Sequence, residues 1–395
     1  MSGRSLAECS EGYSPSLKFK GSLRIAFIHN RYIGYRLPFF EKLAKLFDTK
    51  FFFDQIDSKT TVQKRVFSYV VLKSVQILQS PVYDFTWSPM LAYHLLKGKY
   101  NFFIGSGVGH LGTFVTFIVA RLLRKPFVLW NEGWYYSRTF LRSLRQPLLN
   151  VITKQSNAIV VPGTKAKEFF FRCGVDPEKI FIAPNASSLT ISKNVISETE
   201  KLKELLGING KPVVLYLGRL LERKGVAVLI EAFSGLQKEM NDSVLVIAGE
   251  GEERKKLENL CLKLKVESVL FVGYVDEKDK CLYYSMADVF VLPSVAHSGE
   301  VWDLVLNEAM SLGKPVISTK AAGASYDMIK NGVNGYIVKD GDVKALSKAI
   351  EELLKNPEVK KKMGAASKRI VENSFTFDKM VEGFSDAIRY ALNPL

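Results

Sequence analysis

The chain has 395 residues, of which 47% are hydrophobic and 24% charged, and these values indicate an ordered globular protein with two domains rather than one core or a disordered chain. Its formal net charge of +15 lies before residue 191, because the first 190 residues contain 26 Lys and Arg against 11 Asp and Glu, whereas the remainder contains 29 of each. The four cysteines show no Cys-x-x-Cys spacing, which argues against a zinc site or a disulfide framework and favours a reducing, cytoplasmic setting.

A polar lead-in over residues 1–20 precedes the first domain. It lacks the apolar run of a signal peptide, and no later run is long enough to cross a membrane, so we expect neither feature. In residues 21–190, the predicted first domain, β-branched or aromatic runs alternate with amphipathic helical patterns. Strands are predicted near Leu23–His29, Lys50–Phe53, Asn101–Ile104, Phe127–Trp130, Ala158–Val161 and Ile180–Ala183, and helices near Leu37–Phe47, Gly112–Arg124, Arg138–Lys154 and Lys165–Cys173.

The same alternation restarts in residues 191–374, the predicted second domain, after a polar stretch typical of a linker. Residues 375–395 are predicted to form a helix that packs back on the first domain. This order predicts an α/β fold of two Rossmann-like domains whose parallel sheets face each other across a cleft. Strands of the second domain are predicted near Val213–Leu217, Val244–Ala248, Val269–Val272, Val289–Leu292, Pro315–Ser318 and Tyr336–Val338.

A pair of glutamates, Glu300 and Glu308, is the strongest local signal. The run between them changes from strand-like to helix-like spacing, which predicts Glu300 just before a helix and Glu308 two turns inside it. The first turn of that helix, with Leu304 and Val305, would offer free N–H groups to a diphosphate, and the carboxylates would accept hydrogen bonds from hydroxyl groups. A nucleotide sugar carries hydroxyl groups on both sides of a diphosphate, so this combination predicts a nucleotide sugar as the ligand.

The turn after the first strand of the second domain places cations beside Gly218. Arg219 can bind two phosphate oxygens and Lys224 can add a second positive charge, so both are candidates to stabilise a leaving diphosphate. The alternative is a solvated turn with ordinary surface cations, which the glutamates downstream disfavour.

Two later turns give weaker signals. Gly249 follows a strand in a Gly-x-Gly pair that lacks the third glycine of a dinucleotide fingerprint, so a structural turn is favoured over ligand binding there. After the next strand, the backbone of Gly273, Tyr274 and Val275 is placed to meet a nucleobase edge, and a plain strand end is the equal alternative.

In order and spacing, these motifs resemble those of glycosyltransferase family 4 over nearly all of residues 212–340, and the resemblance is much looser in the first domain. It implies the GT-B architecture and sugar transfer with retention of anomeric configuration, without a metal or other cofactor. By this resemblance Arg219 and Lys224 bind the donor diphosphate, Glu308 the ribose and Glu300 the transferred sugar. The remaining matching segments are Gly313-Lys314-Pro315-Val316-Ile317 and Asn331-Gly332-Val333-Asn334-Gly335.

The chain departs from the family pattern at two places. Many members have glycines where this chain has Val301-Trp302-Asp303, and a later Gly-Gly…Glu pattern ends here in Asp327. A side chain at 301 or 303 would narrow the sugar pocket or change how backbone amides meet the phosphate, so the identity of the donor sugar does not transfer from the family.

The first domain is predicted to bind the acceptor. Arg31, Gly34 and Arg36 lie in a turn that would accept a phosphorylated acceptor, unless it is a plain basic loop. Many family members have a histidine before an acidic residue in the segment that contains Asn131 and Glu132. Since this segment has no histidine, either Glu132 or Asn131 is expected to take its polarising role, unless Glu132 is a structural carboxylate. His110, at a predicted helix start, is a second candidate, although such histidines are more often structural.

We therefore expect a retaining, metal-independent hexosyltransferase that uses a UDP- or GDP-sugar and a lipid-linked or polysaccharide acceptor. The segment Trp134–Leu149 combines arginines with aromatic residues, which suits peripheral contact with an anionic membrane on the cytosolic face or packing on its own sheet. Asp340-Gly341-Asp342 is predicted to cap a helix near Val343 rather than to hold a metal. The alternatives are a sugar-nucleotide epimerase of the same fold and a basic nucleic-acid-binding protein, for which the sequence has no supporting motif.

Overall fold

The structure of the protein is a computed structural model that describes residues 23–57, 67–79, 84–133, 140–237, 239–295 and 302–393. Within these ranges the chain forms two parallel sheets, each packed against helices, together with one separate hairpin. The α/β class predicted from the sequence is confirmed.

The first domain contains the larger sheet. Its strands are β1 (Arg24–Tyr32), β2 (Asp48–Ile56), β3 (Ser68–Val71), β4 (Val75–Gln79), β5 (Asp84–Trp87), β6 (Phe102–Ser106), β7 (Phe127–Trp130), β8 (Ala158–Val161) and β9 (Ile180–Ile182), and its helices are α1 (Leu37–Leu46), α2 (Leu91–Lys97), α3 (Leu111–Leu122), α4 (Phe140–Gln155) and α5 (Thr164–Arg172). The sheet has the order β3-β2-β1-β6-β7-β8-β9 with parallel neighbours, and β4 pairs with β5 in an antiparallel hairpin.

Both faces of this sheet are buried at its centre, where the strands contain continuous apolar runs such as Phe51–Phe53 and Phe127–Trp130. Successive side chains of a strand point to opposite faces. Phe27 therefore lies in one core against Phe40 of α1, with ring centroids 5.9 Å apart, while Ile28 lies in the core on the other face.

The second domain repeats this construction with six strands in the described residues. They are β10 (Val213–Leu217), β11 (Val244–Ala248), β12 (Val269–Gly273), β13 (Val289–Leu292), β14 (Val316–Thr319) and β15 (Gly335–Val338), and the helices are α6 (Val195–Leu205), α7 (Val226–Leu236), α8 (Arg254–Leu264), α9 (Lys280–Met286), α10 (Leu304–Ser311), α11 (Ser325–Met328), α12 (Val343–Lys355) and α13 (Pro357–Ser374). The strand order is β12-β11-β10-β13-β14-β15, again parallel. As predicted, Asp342 caps α12, where its Oδ1 accepts a 2.9 Å hydrogen bond from the N–H of Ala345.

The last helix, α14 (Phe377–Leu392), returns to the first domain. Its Phe384 lies in the first-domain core, with ring centroids 4.7 Å from Phe39 and 5.2 Å from Trp130. The chain thus passes between the domains a second time near residue 376.

Several predicted boundaries need correction. The opening strand continues to Tyr32, so Arg31 lies on β1, opposite Gln55 of β2, and not in the turn that follows. Strands β3, β4 and β5 and helix α2 have no counterpart among the elements predicted from the sequence. The predicted start of the helix at Arg138 falls in residues 134–139, outside the described part of the chain. Across the described ranges, every helix is too short or too polar to cross a bilayer.

Candidate active site

The loops at the carboxyl ends of the two sheets meet each other. The N–H of Thr164, just after β8, donates to the two carboxylate oxygens of Asp327, which follows β14, at 3.2 and 3.0 Å. The side-chain amide of Asn307, on α10, donates to the carbonyl of Asn185, which follows β9, at 2.9 Å. Because each parallel sheet presents the carboxyl ends of its strands at one edge, these contacts place the two ligand-binding edges opposite each other.

Glu308 lies on α10 with only 4% of its side chain exposed. Oη of Tyr284 donates a 2.7 Å hydrogen bond to one carboxylate oxygen, and Nζ of Lys280 lies 3.3 Å from the other. Burial raises the pKa of Glu308, whereas Lys280 and Tyr284 oppose that rise. The predicted position two turns inside the helix was wrong, since α10 begins at Leu304 and Glu308 is its fifth residue.

Lys224 forms a buried ion pair with Asp303, at the start of α10. Nζ of Lys224 lies 2.6 Å from Oδ1 of Asp303, and 9% and 18% of the two side chains are exposed. Burial lowers the pKa of Lys224, and Asp303 opposes that shift. Gly225, with φ of 67°, ends the turn, and a Cβ there would lie 2.1 Å from the carbonyl oxygen of Pro293. The tight turn that buries Lys224 therefore requires glycine.

Gly218, Gly249 and Gly273, which were predicted to line the donor site, lie against one another at the carboxyl ends of the neighbouring strands β10, β11 and β12. The N–H of Gly249 donates to the carbonyl of Gly273 at 2.7 Å, and a Cβ on Gly249 would lie 1.8 Å from the carbonyl oxygen of Gly218. Arg219, which follows Gly218, is exposed, and its carbonyl accepts a 2.8 Å hydrogen bond from Oη of Tyr216. Because these glycines have no side chain, the backbones at the ends of the three strands lie close together. Arg219 is exposed beside them, at the edge of the sheet.

The other predicted donor residues differ in exposure. Tyr274 is exposed, whereas the side chain of Val275 lies in the core of the second domain and leaves only its backbone for a ligand. Leu304 and Val305 are half-buried in the first turn of α10. Glu300 lies outside the described residues, so its predicted contact with the transferred sugar stays a prediction.

On the first-domain side, Arg36 and Glu132 form one network. Nη2 of Arg36 lies 2.6 Å from Oε1 of Glu132, and the side-chain amide of Asn185 donates to the same oxygen at 2.7 Å. The guanidinium group also lies 4.6 Å from the ring centroid of Trp130. Burial alone would lower the pKa of Arg36, but the adjacent Glu132 raises it above its ordinary value. These two residues, for which the sequence predicted separate roles, form one ion pair in the structure.

His110 belongs to a different network of the first domain. Its Nε2 lies 2.6 Å from Oδ2 of the buried Asp54, which also accepts hydrogen bonds from the hydroxyl groups of Thr86 and Ser88. This arrangement fits the structural alternative for His110. Gly34 begins the short 3-10 turn that positions Arg36.

A polar chain between the domains was not foreseen. Nε1 of Trp302 donates a 2.9 Å hydrogen bond to Oδ1 of Asn307, and Asn307 in turn donates to the carbonyl of Asn185. Asn185 therefore contacts both the helix that positions Glu308 and the carboxylate of Glu132. Asn185, in the linker, and Asn307, on α10, gave no signal in the sequence, because their partners are distant along the chain.

Comparison with known proteins is consistent with this geometry. Residues 198–370 match the sequence model of the family described as glycosyl transferases group 1. Spore coat protein SA of Bacillus subtilis is 33% identical over 192 residues, which make up 46% of this chain and 50% of that protein. The GDP-mannose-dependent alpha-(1-6)-phosphatidylinositol monomannoside mannosyltransferase of Mycolicibacterium smegmatis is 30% identical over 200 residues, 49% of each protein. The chain thus spans about half the length of these curated relatives.

Solved structures extend the likeness to both domains. Anabaena HepE, in complex with UDP, has a TM-score of 0.76 and 18% identity, and the match covers 93% of this chain and 99% of that one. Further structures of HepE contain UDP with glucose, or UDP-glucose. At this level of identity the likeness shows the fold, which is GT-B.

Proposed function

We propose that the protein transfers a sugar from a nucleotide diphosphate sugar to a glycan or lipid-linked acceptor. The proposal starts from the match of residues 198–370 to the glycosyl transferases group 1 family and from the GT-B fold of the chain. The observation that supports this best is the carboxylate of Glu308, buried and oriented by Tyr284 and Lys280 at the carboxyl edge of the second sheet. A fixed carboxylate of this kind accepts hydrogen bonds from two neighbouring hydroxyl groups, such as those of a ribose.

Arg219 and Lys224 supply the positive charge that a diphosphate requires. Arg219 is exposed at the edge of the sheet, and Lys224 lies at the first turn of α10, where backbone N–H groups add partial positive charge. As the bond to the sugar breaks, these groups stabilise the negative charge that develops on the leaving nucleoside diphosphate. No metal is needed for that role in this proposal, and we propose retention of anomeric configuration.

Calorimetric titration with UDP, GDP and ADP tests the donor site. We expect one of the three to bind the wild-type protein and Glu308→Gln to weaken that binding by about 10- to 100-fold, the value of hydrogen bonds to a charged group. The control is Glu231→Gln, an exposed glutamate on α7. Equal affinity of the Glu308→Gln and wild-type proteins would remove Glu308 from the site.

Transfer assays test the remaining parts of the proposal. With the UDP-, GDP- or ADP-sugar of the nucleotide that binds, we expect the same rate in EDTA as in Mg²⁺ and a product with the anomeric configuration of the donor, read by NMR. A rate that depends on added metal would contradict metal independence, and a product of inverted anomeric configuration would contradict retention.

A lipid-linked acceptor, and contact with the cytosolic face of a membrane, are supported by an apolar and basic surface on α2 and α3. Tyr93, Leu96 and Leu122 are exposed on these two helices, which contact each other, and Leu122 is 73% exposed. Arg121, which precedes Leu122, is also exposed. Exposed apolar side chains beside cations suit an anionic bilayer surface. One relative is named for phosphatidylinositol monomannoside as its acceptor.

Co-sedimentation with vesicles tests this contact. We expect binding to phosphatidylcholine vesicles that contain phosphatidylglycerol, little binding to pure phosphatidylcholine, and loss of binding in Leu122→Glu. The matched control is Leu262→Glu, which alters an equally exposed leucine of the second domain. Equal sedimentation with both vesicle types at low salt would contradict the proposal.

A further inference from the structure

Asp303 occupies the N-cap position of α10 but does not cap the helix. Its backbone is extended, with φ of −88° and ψ of 109°, and its side chain accepts no hydrogen bond from the first turn. Aspartate is among the preferred N-caps because its carboxylate normally accepts such a bond. Here Oδ1 instead lies 2.6 Å from Nζ of Lys224, and Oδ2 is buried without a hydrogen-bond partner in the described structure.

Two further cations of the described structure lie near this pair. Burial lowers the pKa of Lys224, Asp303 opposes that shift, and the positive charges of Arg223 and Arg219 lower the pKa further. Asp303 therefore occupies a cationic position through one oxygen only, since Oδ1 meets Lys224 and Oδ2 has no hydrogen-bond partner among the described residues. A diphosphate, which has more negative charge than one carboxylate, is suited to the same position.

We propose that Asp303 is an internal anion that competes with the donor diphosphate for Lys224, which makes it an affinity-determining residue of this site. The inference rests on the proposed function. When the nucleotide enters, a phosphoryl oxygen replaces Oδ1 of Asp303 at Nζ of Lys224, and the released carboxylate can cap α10 or bind Arg223. The exchange moves no covalent bond.

Competition has a consequence for the reaction cycle. With Asp303 present, binding of the nucleotide requires that a buried ion pair be broken and that a carboxylate remain near the diphosphate, so the affinity is lower than the three cations alone would give. When the nucleoside diphosphate product leaves, Asp303 returns to Lys224 and keeps its buried charge paired. The same carboxylate thus weakens binding and favours product release.

The test is calorimetric titration of UDP, GDP and ADP into the wild-type protein, Asp303→Asn, Asp303→Ser and Asp303→Asn/Lys224→Met. We expect both single variants to bind the nucleotide about tenfold or more tightly than the wild type, since a like charge beside the diphosphate has been removed. The double variant should lose this gain. Asp242→Asn, at an exposed position before β11, should bind as the wild type does.

The possible outcomes are separable. If the wild type binds a nucleotide but neither Asp303→Asn nor Asp303→Ser binds it more tightly, the competition is refuted. Asp303 would then position Lys224 for the diphosphate, and the proposed function would stand. If no variant binds any of the three nucleotides at millimolar concentration, the donor site is refuted and the competition with it. Asp303→Ser retains a capping oxygen and provides a folded alternative should Asp303→Asn be unstable.

Discussion

At the scale of single residues, the ionisation of Glu308 depends on two side chains of α9. Burial raises its pKa, and Lys280 is the strongest opposing influence. A carboxylate that must accept hydrogen bonds from donor hydroxyl groups has to be ionised. Donor binding is therefore expected to weaken as the pH falls through the pKa of Glu308 in the free protein.

Lys280→Met should move this acid limb to higher pH. Without the ammonium group, burial is opposed only by the hydrogen bond of Tyr284, so the pKa of Glu308 rises further and binding is lost earlier as the pH falls. The measurement is the affinity for the nucleotide by calorimetry between about pH 5 and 8, a range above the ordinary pKa of a glutamate.

The matched control is Glu277→Gln. Glu277 is the other partner of Lys280, is exposed, and raises the pKa of Glu308. Its neutralisation leaves the pair of Lys280 and Glu308 in place, so the acid limb should stay or move slightly to lower pH. Superimposable profiles for Lys280→Met and the wild type would mean that Glu308 does not control the limb.

The sequence identified residues of the site but not the polar pairs that they form. Glu308 and Lys224 lie in motifs with recognisable spacing, whereas their partners lie 28 and 79 positions away in sequence, on other elements. Local pattern predicts which element a residue lies on but not which distant side chain it meets. The ion pair of Arg36 and Glu132, 96 residues apart, escaped for the same reason.

At the scale of elements, the turn between β10 and α7 determines where Lys224 points. Gly225 adopts a left-handed conformation directly against the carbonyl oxygen of Pro293, and the N–H of Val295 donates to the carbonyl of Arg223 at 3.0 Å. The turn is therefore fixed both by conformation and by contact with the strand-end loop after β13.

Gly225→Ala separates these two causes when compared with Gly332→Ala. Both glycines have positive φ, 67° and 76°, but a Cβ at Gly332 would meet no atom within 4 Å. We expect Gly332→Ala to cost about 1 kcal/mol of the free energy of unfolding, the strain of a left-handed alanine. Gly225→Ala should cost roughly 3 kcal/mol or more, because the backbone contact must also shift.

Urea unfolding of the two variants measures the difference, and nucleotide affinity should fall only in Gly225→Ala, which displaces Lys224. Similar losses of stability in both variants would show that the loop after β13 yields without cost, contrary to the contact described here.

Prediction at this scale succeeded for strands that are continuous apolar runs. Strands β7, β8, β10, β11 and β13 have the predicted bounds, since each is a compact apolar run buried on both faces. Strand β3 was not predicted because it is an edge strand that is only partly buried, and it lacks the continuous apolar run of the central strands. Helix α2 was not predicted because its seven residues make less than two full turns and show no clear period. The first turn of α10 was predicted correctly at Leu304 and Val305, whereas Glu308 lies about one turn into the helix and not two.

At the scale of the whole molecule, the two domains touch through groups that neither domain can satisfy alone. The N–H of Thr164 is one of the free donors at the start of α5, and its acceptor is Asp327 of the other domain. A Cβ at Gly163 would lie 2.4 Å from Oδ2 of Asp327, so the glycine permits this close approach. Asp327 was noted in the sequence only as a departure from the family pattern, because a helix cap supplied by another domain has no local signature.

Removal of this contact should open the cleft without unfolding either domain. Asp327→Ala removes the acceptor, and Gly163→Ala introduces a methyl group into the contact, so both variants should show a larger radius of gyration by X-ray scattering in solution. Transfer should fall about tenfold or more, since the reacting groups of the two domains are less well aligned. Nucleotide affinity, which depends on the second domain, should change little.

Asp342→Ala serves as the comparison, because Asp342 caps α12 within its own domain. Loss of that cap should lower stability by about 1 kcal/mol and leave the radius of gyration unchanged. If Asp327→Ala behaves in the same way, with reduced stability and unchanged dimensions, its carboxylate supports α5 locally and the domains are held together elsewhere. The chain of Asn307, Asn185 and Glu132 would then be the contact that sets their separation, since it joins the same two edges through the linker.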